Sequence, residues 1–321
     1  MTLLGTGCPA PVMNRFGASI LVEAGGQALL FDAGRGALQR LTQVKVPWQN
    51  VRGVFLTHLH SDHVVGLPDL LLTAWLRTPE RTLSPTVWGP RGTAQMIYHI
   101  RQAFGEDIRF RVANERADSA GIELEAKEIS DGVVYDEGGV KVTAFHVDHA
   151  PVIPALGYRI DYAGRSVVLS GDTGPSETLV RHAGGTDLLI HEVIVPETLR
   201  RIGLEEDRIR NIIAVHTTPE QAGEVFSRTR PRLALFSHIC TPAATDEDVL
   251  VPARKTYNGV MEVGEDLMVL EVGPSIQVRR PTSAARADEI HRMTIARSFT
   301  GSTQIASLPA PSTMSAIMST S

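Results

Sequence analysis

Thr57-His58-Leu59-His60-Ser61-Asp62-His63 sets three imidazoles and a carboxylate within six residues, directly after the apolar segment from Val51, which reads as a short buried strand. A loop leaving a strand end can aim alternate side chains at one point. His58 and His60 are therefore placed to share one metal ion, while Asp62 and His63 address a neighbour. Neutral imidazole and carboxylate suit zinc and related divalent ions, and the lack of nearby thiolates argues against a structural cysteine site. A solvated His-rich turn is the competing explanation, and four donor groups in six positions outweigh it.

Outward from this motif, strands and turns alternate. Ser19–Ala24 and Gln27–Phe31 flank Gly25-Gly26 as a hairpin. Helical spacing is predicted over 36–44, 66–75 and 91–104, with Thr86-Val87-Trp88 a further strand. A second strand-rich half includes Val140–Phe145 and a hairpin of Tyr158–Tyr162 and Arg165–Leu169 around Ala163-Gly164. Strands at Leu188–Ile190 and Leu233–Phe236 bracket helices near 197–202 and 219–227, and a last strand runs over 267–272. Two such halves fit an α/β architecture of two packed mixed sheets with helices on the outer faces, an αββα sandwich. From Arg280 the composition turns to Ser, Thr, Ala and Pro without apolar periodicity. The expected organisation is one catalytic domain over 1–279 and a disordered tail over 280–321.

Composition narrows the function classes. With 321 residues, 43% hydrophobic and 21% charged, the chain can bury one large core. A net charge of −5 shows no basic nucleic-acid surface. No apolar run reaches the length of a membrane span, so a soluble protein is expected. Leu3-Leu4-Gly5-Thr6-Gly7 already reads as strand and turn, with no basic-then-apolar leader before it. The compartment, cytoplasmic or periplasmic with a leader removed, stays open. Cys8 and Cys240 are the two cysteines, too few for a disulfide framework, and both read as incidental.

His-x-His-x-Asp-His over residues 58–63 resembles the signature of the metallo-β-lactamase superfamily. The sequence is most similar to its ribonuclease Z and arylsulfatase-like branch, over about residues 2 to 275. Leu4-Gly5-Thr6-Gly7, Phe31-Asp32-Ala33-Gly34, Trp88-Gly89-Pro90, Gly157-Tyr158 and Ser170-Gly171-Asp172-Thr173 carry the likeness in order. The resemblance implies two divalent ions, Zn2+ foremost with Mn2+ or Fe2+ as substitutes. It implies His58, His60 and His149 on the first, Asp62, His63 and His238 on the second, and Asp172 bridging. His149 is preferred over His146 because the family ligand lies shortly before the Gly-Tyr pair.

Two adjacent ions would make hydroxide available near neutrality, and Asp62 would orient or deprotonate that water. No Gly-x-Ser-x-Gly elbow offers an alternative nucleophile. His191-Glu192 and His216-Thr217-Thr218 resemble the His-Glu and His-Ser-Thr motifs of ribonuclease Z. That likeness implies His216 as general acid with Glu192 orienting it, and Thr217 or Thr218 capping a helix from Pro219. His191 is read as buried structure at least as readily as catalysis. A phosphodiester or sulfate ester is the expected substrate class. A small ester is expected in preference to large RNA: only residues 159–171 separate Tyr158 from Asp172, leaving no room for a tRNA-gripping arm there, and Ile239-Cys240-Thr241-Pro242 replaces the ribonuclease Z pattern. A β-lactamase or lactonase and a non-catalytic scaffold are the competing readings. The resemblance allows a homodimer, for which the sequence shows no interface signature.

Overall fold

Apolar runs punctuated by glycine pairs become, in the computed structural model, hairpins and buried parallel strands. The structure describes residues 1–77, 85–115, 117–123, 125–241 and 243–282. The expected tail therefore lies almost wholly outside the described residues. The first strands are β1 (Thr2–Gly5), β2 (Ser19–Ala24), β3 (Gln27–Phe31), β4 (Val51–Phe55), β5 (Thr86–Gly89) and β6 (Ala126–Glu128). Then come β7 (Gly132–Glu137), β8 (Val140–His146), β9 (Leu156–Tyr162), β10 (Arg165–Leu169), β11 (Leu188–Val193), β12 (Leu233–Ile239) and β13 (Met261–Val263). Last are β14 (Val269–Val272) and β15 (Ile276–Arg279). One sheet has the order β15-β14-β1-β2-β3-β4-β5-β6 and the other β13-β12-β11-β10-β9-β8-β7. Both are mixed: β3 to β6 run parallel, as do β10 to β13, while the hairpins are antiparallel.

The helices of the first half are α1 (Ala37–Gln43), α2 (Ser61–Val64), α3 (Leu67–Arg77), α4 (Thr93–Ala103) and α5 (Gly105–Asn114). The second half supplies α6 (Glu177–Ala183), α7 (Pro196–Arg201), α8 (Glu206–Ile213), α9 (Pro219–Thr229) and α10 (Asp246–Ala253). Strand alternation sorts the apolar side chains into three layers. Phe31 and Phe55 interlock with Tyr158, Ile160 and Leu169 between the sheets. Leu30, Val54 and Leu56 face the other way, onto Leu38, Leu41, Leu70 and Ile97 of α1, α3 and α4. Val168, Leu189 and Ala234 pack on Leu179, Phe226 and Val249 of α6, α9 and α10. The result is the αββα sandwich, and each fully buried Leu, Ile, Val or Phe in it contributes about 1.5–3 kcal/mol. Among the described residues no helix is long and apolar enough to cross a membrane.

An aromatic stack fixes the strand that delivers the His motif. Phe55 lies between Phe31 and Trp88, with ring centroids at 5.0 and 4.8 Å. The Tyr158 hydroxyl crosses from the second sheet and donates to Leu56 O at 2.6 Å. Leu156 N also donates to Thr57 O at 2.9 Å. The exit of β4 is thus pinned from the opposite sheet immediately before His58.

Candidate metal centre

The candidate residues gather at or just beyond the carboxyl ends of parallel strands in both sheets, the edge where α/β folds place ligands. β4 leads to His58, β10 to Asp172, β11 ends around Glu192, and β12 carries His238. The expectation of a loop throughout 57–63 needs correction: Ser61–Val64 form one helical turn, α2. That turn brings the His63 Nδ1 to 2.8 Å from Asp32 Oδ2. Its close approach requires glycine at 34, where a Cβ would stand 2.3 Å from Asp62 O. Gly171 likewise has a φ of +61°, and a Cβ there would meet Leu156 O at 2.5 Å.

Two groups of donors result. In the first, ligand atoms of His58, His60, His149 and Asp172 all lie within 4.8 Å of one another. In the second, Asp62, His63 and His238 do the same. Asp172 faces both, with its Oδ2 3.8 Å from His58 Nε2 and its Oδ1 3.3 Å from His63 Nε2. The outward nitrogens are held from behind. Thr57 Oγ1 lies 3.0 Å from His58 Nδ1, and His149 Nδ1 is 2.8 Å from Val215 O. Such back-bonding fixes the ring and tautomer of a metal-binding histidine.

The donor set fits divalent ions on its own evidence. His58 Nε2, His149 Nε2 and Asp172 Oδ1 are buried and have no hydrogen-bond partner. Buried polar atoms without partners are costly, and these three, two imidazole nitrogens in the first group and the Asp172 oxygen turned to the second, call for cations. In the second group, His63 Nε2 and His238 Nε2 stand 3.1 Å apart, and His238 Nε2 is 3.1 Å from Asp62 Oδ2. Electrostatics agree. Burial, aided by the neighbouring imidazoles, holds His58 well below its ordinary pKa, and burial lowers His149, so both offer lone pairs. Burial pushes Asp172 up, but His238, His63 and His58 outweigh it and keep the carboxylate ionised. For His63 burial lowers the pKa, and the flanking Asp172 and Asp32 overcome it. A metal ion on the Nε2 side would replace the proton facing Asp172, while Asp32 keeps the one on Nδ1.

His238 owes its direction to an irregularity in β12. His191 pairs with Phe236 but Val193 with Ile239, so β12 carries an extra residue, and His238 has a φ of +45°. Bulges commonly re-aim side chains beside active sites. The strand was expected to end at Phe236; it continues through His238 to Ile239.

Beside these groups lies the Glu192–His216 pair. Glu192 Oε1 accepts from Thr173 N at 3.2 Å and Thr217 N at 3.1 Å, and lies 3.1 Å from His216 Nδ1. The His216 ring sits 5.1 Å from that of His149. Burial lowers the His216 pKa, but the charge and hydrogen bond of Glu192, with Asp172 behind it, raise it to about 9. Thr218 caps α9 in a capping box with Gln221, while Thr217 Oγ1 donates to Thr173 O at 2.6 Å.

Other sequence candidates lie elsewhere. His191 is fully buried, its Nδ1 2.7 Å from Glu192 O and its ring against Phe226. His146 is half exposed and paired with Asp131 at 3.0 Å. Two residues had been missed. Asp32, at a φ of +58°, also accepts from Thr57 N at 2.8 Å; Phe31-Asp32-Ala33-Gly34 had carried the resemblance without a role. Cys240 is not incidental: its Sγ lies 2.9 Å from His238 Nδ1. Its position two residues after a candidate ligand was the available signal.

Comparison with known proteins adds the following. A family model described as a beta-lactamase superfamily domain matches residues 27–239. A ribonuclease Z of Mycobacterium sp. (strain KMS) is 36% identical over 281 residues, covering 87% of this chain and 98% of that protein. The ribonuclease Z of Mycobacterium avium (strain 104) is 38% identical over 276 residues, with 85% and 98% covered. The crystal structure of human tRNase Z, short form, superposes with a TM-score of 0.63 at 22% identity, covering 85% of this chain and 98% of that one. These relatives overturn the expectation of a small ester in preference to large RNA. Net charge sums the whole surface and is silent on any one patch. The short Ala163-Gly164 turn closes the far end of β9 and β10, about 17 Å along the strand from the metal-side edge, so its brevity does not limit what reaches the site.

Proposed function

This chain belongs to the β-lactamase superfamily and, within it, to the ribonuclease Z family; from that premise we propose that it cleaves RNA with two divalent ions and a histidine acid. It is a metal-dependent hydrolase acting on phosphodiester bonds. The observation that carries the finer reading is that His58 Nε2 and His149 Nε2 in the first group, and Asp172 Oδ1 turned to the second, are buried without hydrogen-bond partners beside the Glu192–His216 pair.

His58, His60 and His149 would hold one ion, Asp62, His63 and His238 the other, and Asp172 both. Zinc suits these donors best. Bound there, the ions supply a water acidic enough to ionise near neutrality and positive charge to offset that of the phosphate. With one carboxylate oxygen toward that ion beside His238, Asp62 would have the other to accept the proton of the attacking water. His216 presents its Nε2 while Nδ1 stays on Glu192, and it gives the departing ribose oxygen a proton. Glu192 is fixed by two backbone N–H groups and so holds the imidazole in one orientation.

The test is direct. The full chain loaded with zinc should cleave a tRNA precursor with a 3′ extension, lose that activity to a chelator, and regain it with zinc. An intact RNA under conditions where simple esters are hydrolysed would overturn the reading.

A further inference from the structure

We propose that Glu192, His216 and Cys240 form a third cation site, taken by cadmium or by zinc beyond the first two ions, whose occupation switches off the acid. Donor atoms of the three residues lie within 4.8 Å of one another, apart from the two groups described above. Glu192 Oε1 is 3.1 Å from His216 Nδ1; Cys240 Sγ is 3.6 Å from Glu192 Oε2 and 3.7 Å from His216 Nδ1. A four-coordinate zinc ion, from its bond lengths, separates nitrogen and oxygen ligands by about 3.3 Å and places sulfur about 3.6 Å from either. The sulfur already stands at that separation from both Oε2 and His216 Nδ1; the 3.1 Å spacing is to the other oxygen, Oε1, so Oε2, turned to the sulfur, is the oxygen that would bind, with a fourth position left to water.

The carboxylate supplies the second argument. Glu192 is buried, and its Oε1 is met by three N–H donors, whereas Oε2 has, among the described residues, the Cys240 thiol alone, at a long 3.6 Å. A buried carboxylate oxygen so poorly met is an acceptor for a cation. The thiolate decides which cation, because sulfur favours cadmium and zinc over magnesium, calcium or manganese. Cys240 Sγ also lies 2.9 Å from His238 Nδ1, so the sulfur sits between the second candidate metal group and the acid pair.

Binding would release the Cys240 thiol proton, and the one on His216 Nδ1, to solvent. An imidazole with a metal on Nδ1 carries its only proton on Nε2 and cannot become imidazolium. It loses the means of donating to a leaving group. This inhibitory consequence rests on the reading of His216 as the acid; the site itself does not.

Cadmium titrated into the full chain, already loaded with two equivalents of zinc, tests both parts. Cadmium bound to thiolate has an ultraviolet charge-transfer band, and none of the seven other candidate ligands contains sulfur. The band should saturate at one ion per chain, persist in Cys8→Ser and vanish in Cys240→Ser. At saturation RNA cleavage should fall by about 10²-fold or more, the loss typical of removing a general acid. A band that survives in Cys240→Ser, or that is lost in Cys8→Ser where Cys240 is the remaining thiol, overturns the site. So does its absence from the parent protein. A band as expected with cleavage unchanged supports the site and counts against His216 as proton donor, so the two failures are told apart.

Discussion

Asp32→Asn removes one charge and almost no volume from the floor of the second metal group. Asparagine tolerates the positive φ of 58° at this position, so the substitution adds little backbone strain. Its consequence is electrostatic. Asp32 Oδ1 accepts from Thr57 N at 2.8 Å while Oδ2 lies 2.8 Å from His63 Nδ1. An amide has one oxygen, so either Thr57 or His63 would then face an NH2 group. Changes behind a metal-binding histidine weaken the ion by about 10- to 100-fold, or about 1.4 to 2.8 kcal/mol. The loss should fall on the ion held by Asp62, His63 and His238. The ion on His58, His60 and His149 should change less, since Asp32 touches none of those ligands directly and reaches His58 through Thr57, whose Oγ1 is 3.0 Å from His58 Nδ1. Competition with a chromophoric chelator should resolve two affinities in the parent and show one lowered in the variant. Equal weakening of both ions, or none, would refute the argument.

Four further outcomes are expected. His216→Ala should lower kcat on RNA by about 10²–10⁴-fold but much less on a nitrophenyl phosphodiester, whose phenolate leaves without a proton; equal losses would remove His216 from the acid role. Because the donating form of His216 disappears as pH rises through its elevated pKa, activity should have a descending alkaline limb. In Glu192→Gln the main raising influence is gone and that limb should move to lower pH; a limb that stays put contradicts the pairing. Tyr158→Phe leaves Leu56 O without its donor and should cost about 1–3 kcal/mol in urea unfolding. Ending the chain after Pro281, the last residue of the compact unit, should leave folding and RNA cleavage nearly intact; a large fall in Tm would refute this.

What the sequence disclosed depended on whether local pattern and tertiary placement coincided. Hairpins around Gly25-Gly26 and Ala163-Gly164 were legible because turn chemistry and alternation agree there, and Ala24 does pair with Gln27 and Tyr162 with Arg165. α5 was invisible for the opposite reason. It buries no residue, so it has no apolar stripe, and ion pairs such as Arg111 with Asp107 and Glu115 line it instead. In the site, the clustered motif over 58–63 announced itself through density of donors. Asp32 and Cys240 did not, since each matters only through a contact with His63 or His238 that the fold creates across the chain. The bulge that aims His238 is a mismatch between two strands, which no single segment encodes. The preference for a small ester over RNA failed because whole-chain charge and one short loop were made to stand for a surface.

The most direct test of the account is anomalous diffraction at the zinc edge from crystals of the zinc-loaded chain, compared with Asp172→Ala. Two peaks are expected in the parent, one among His58, His60 and His149, the other among Asp62, His63 and His238, with Asp172 touching both. The variant should lose occupancy at both. A single peak in the parent, or two peaks of full occupancy in Asp172→Ala, would contradict the two-ion centre.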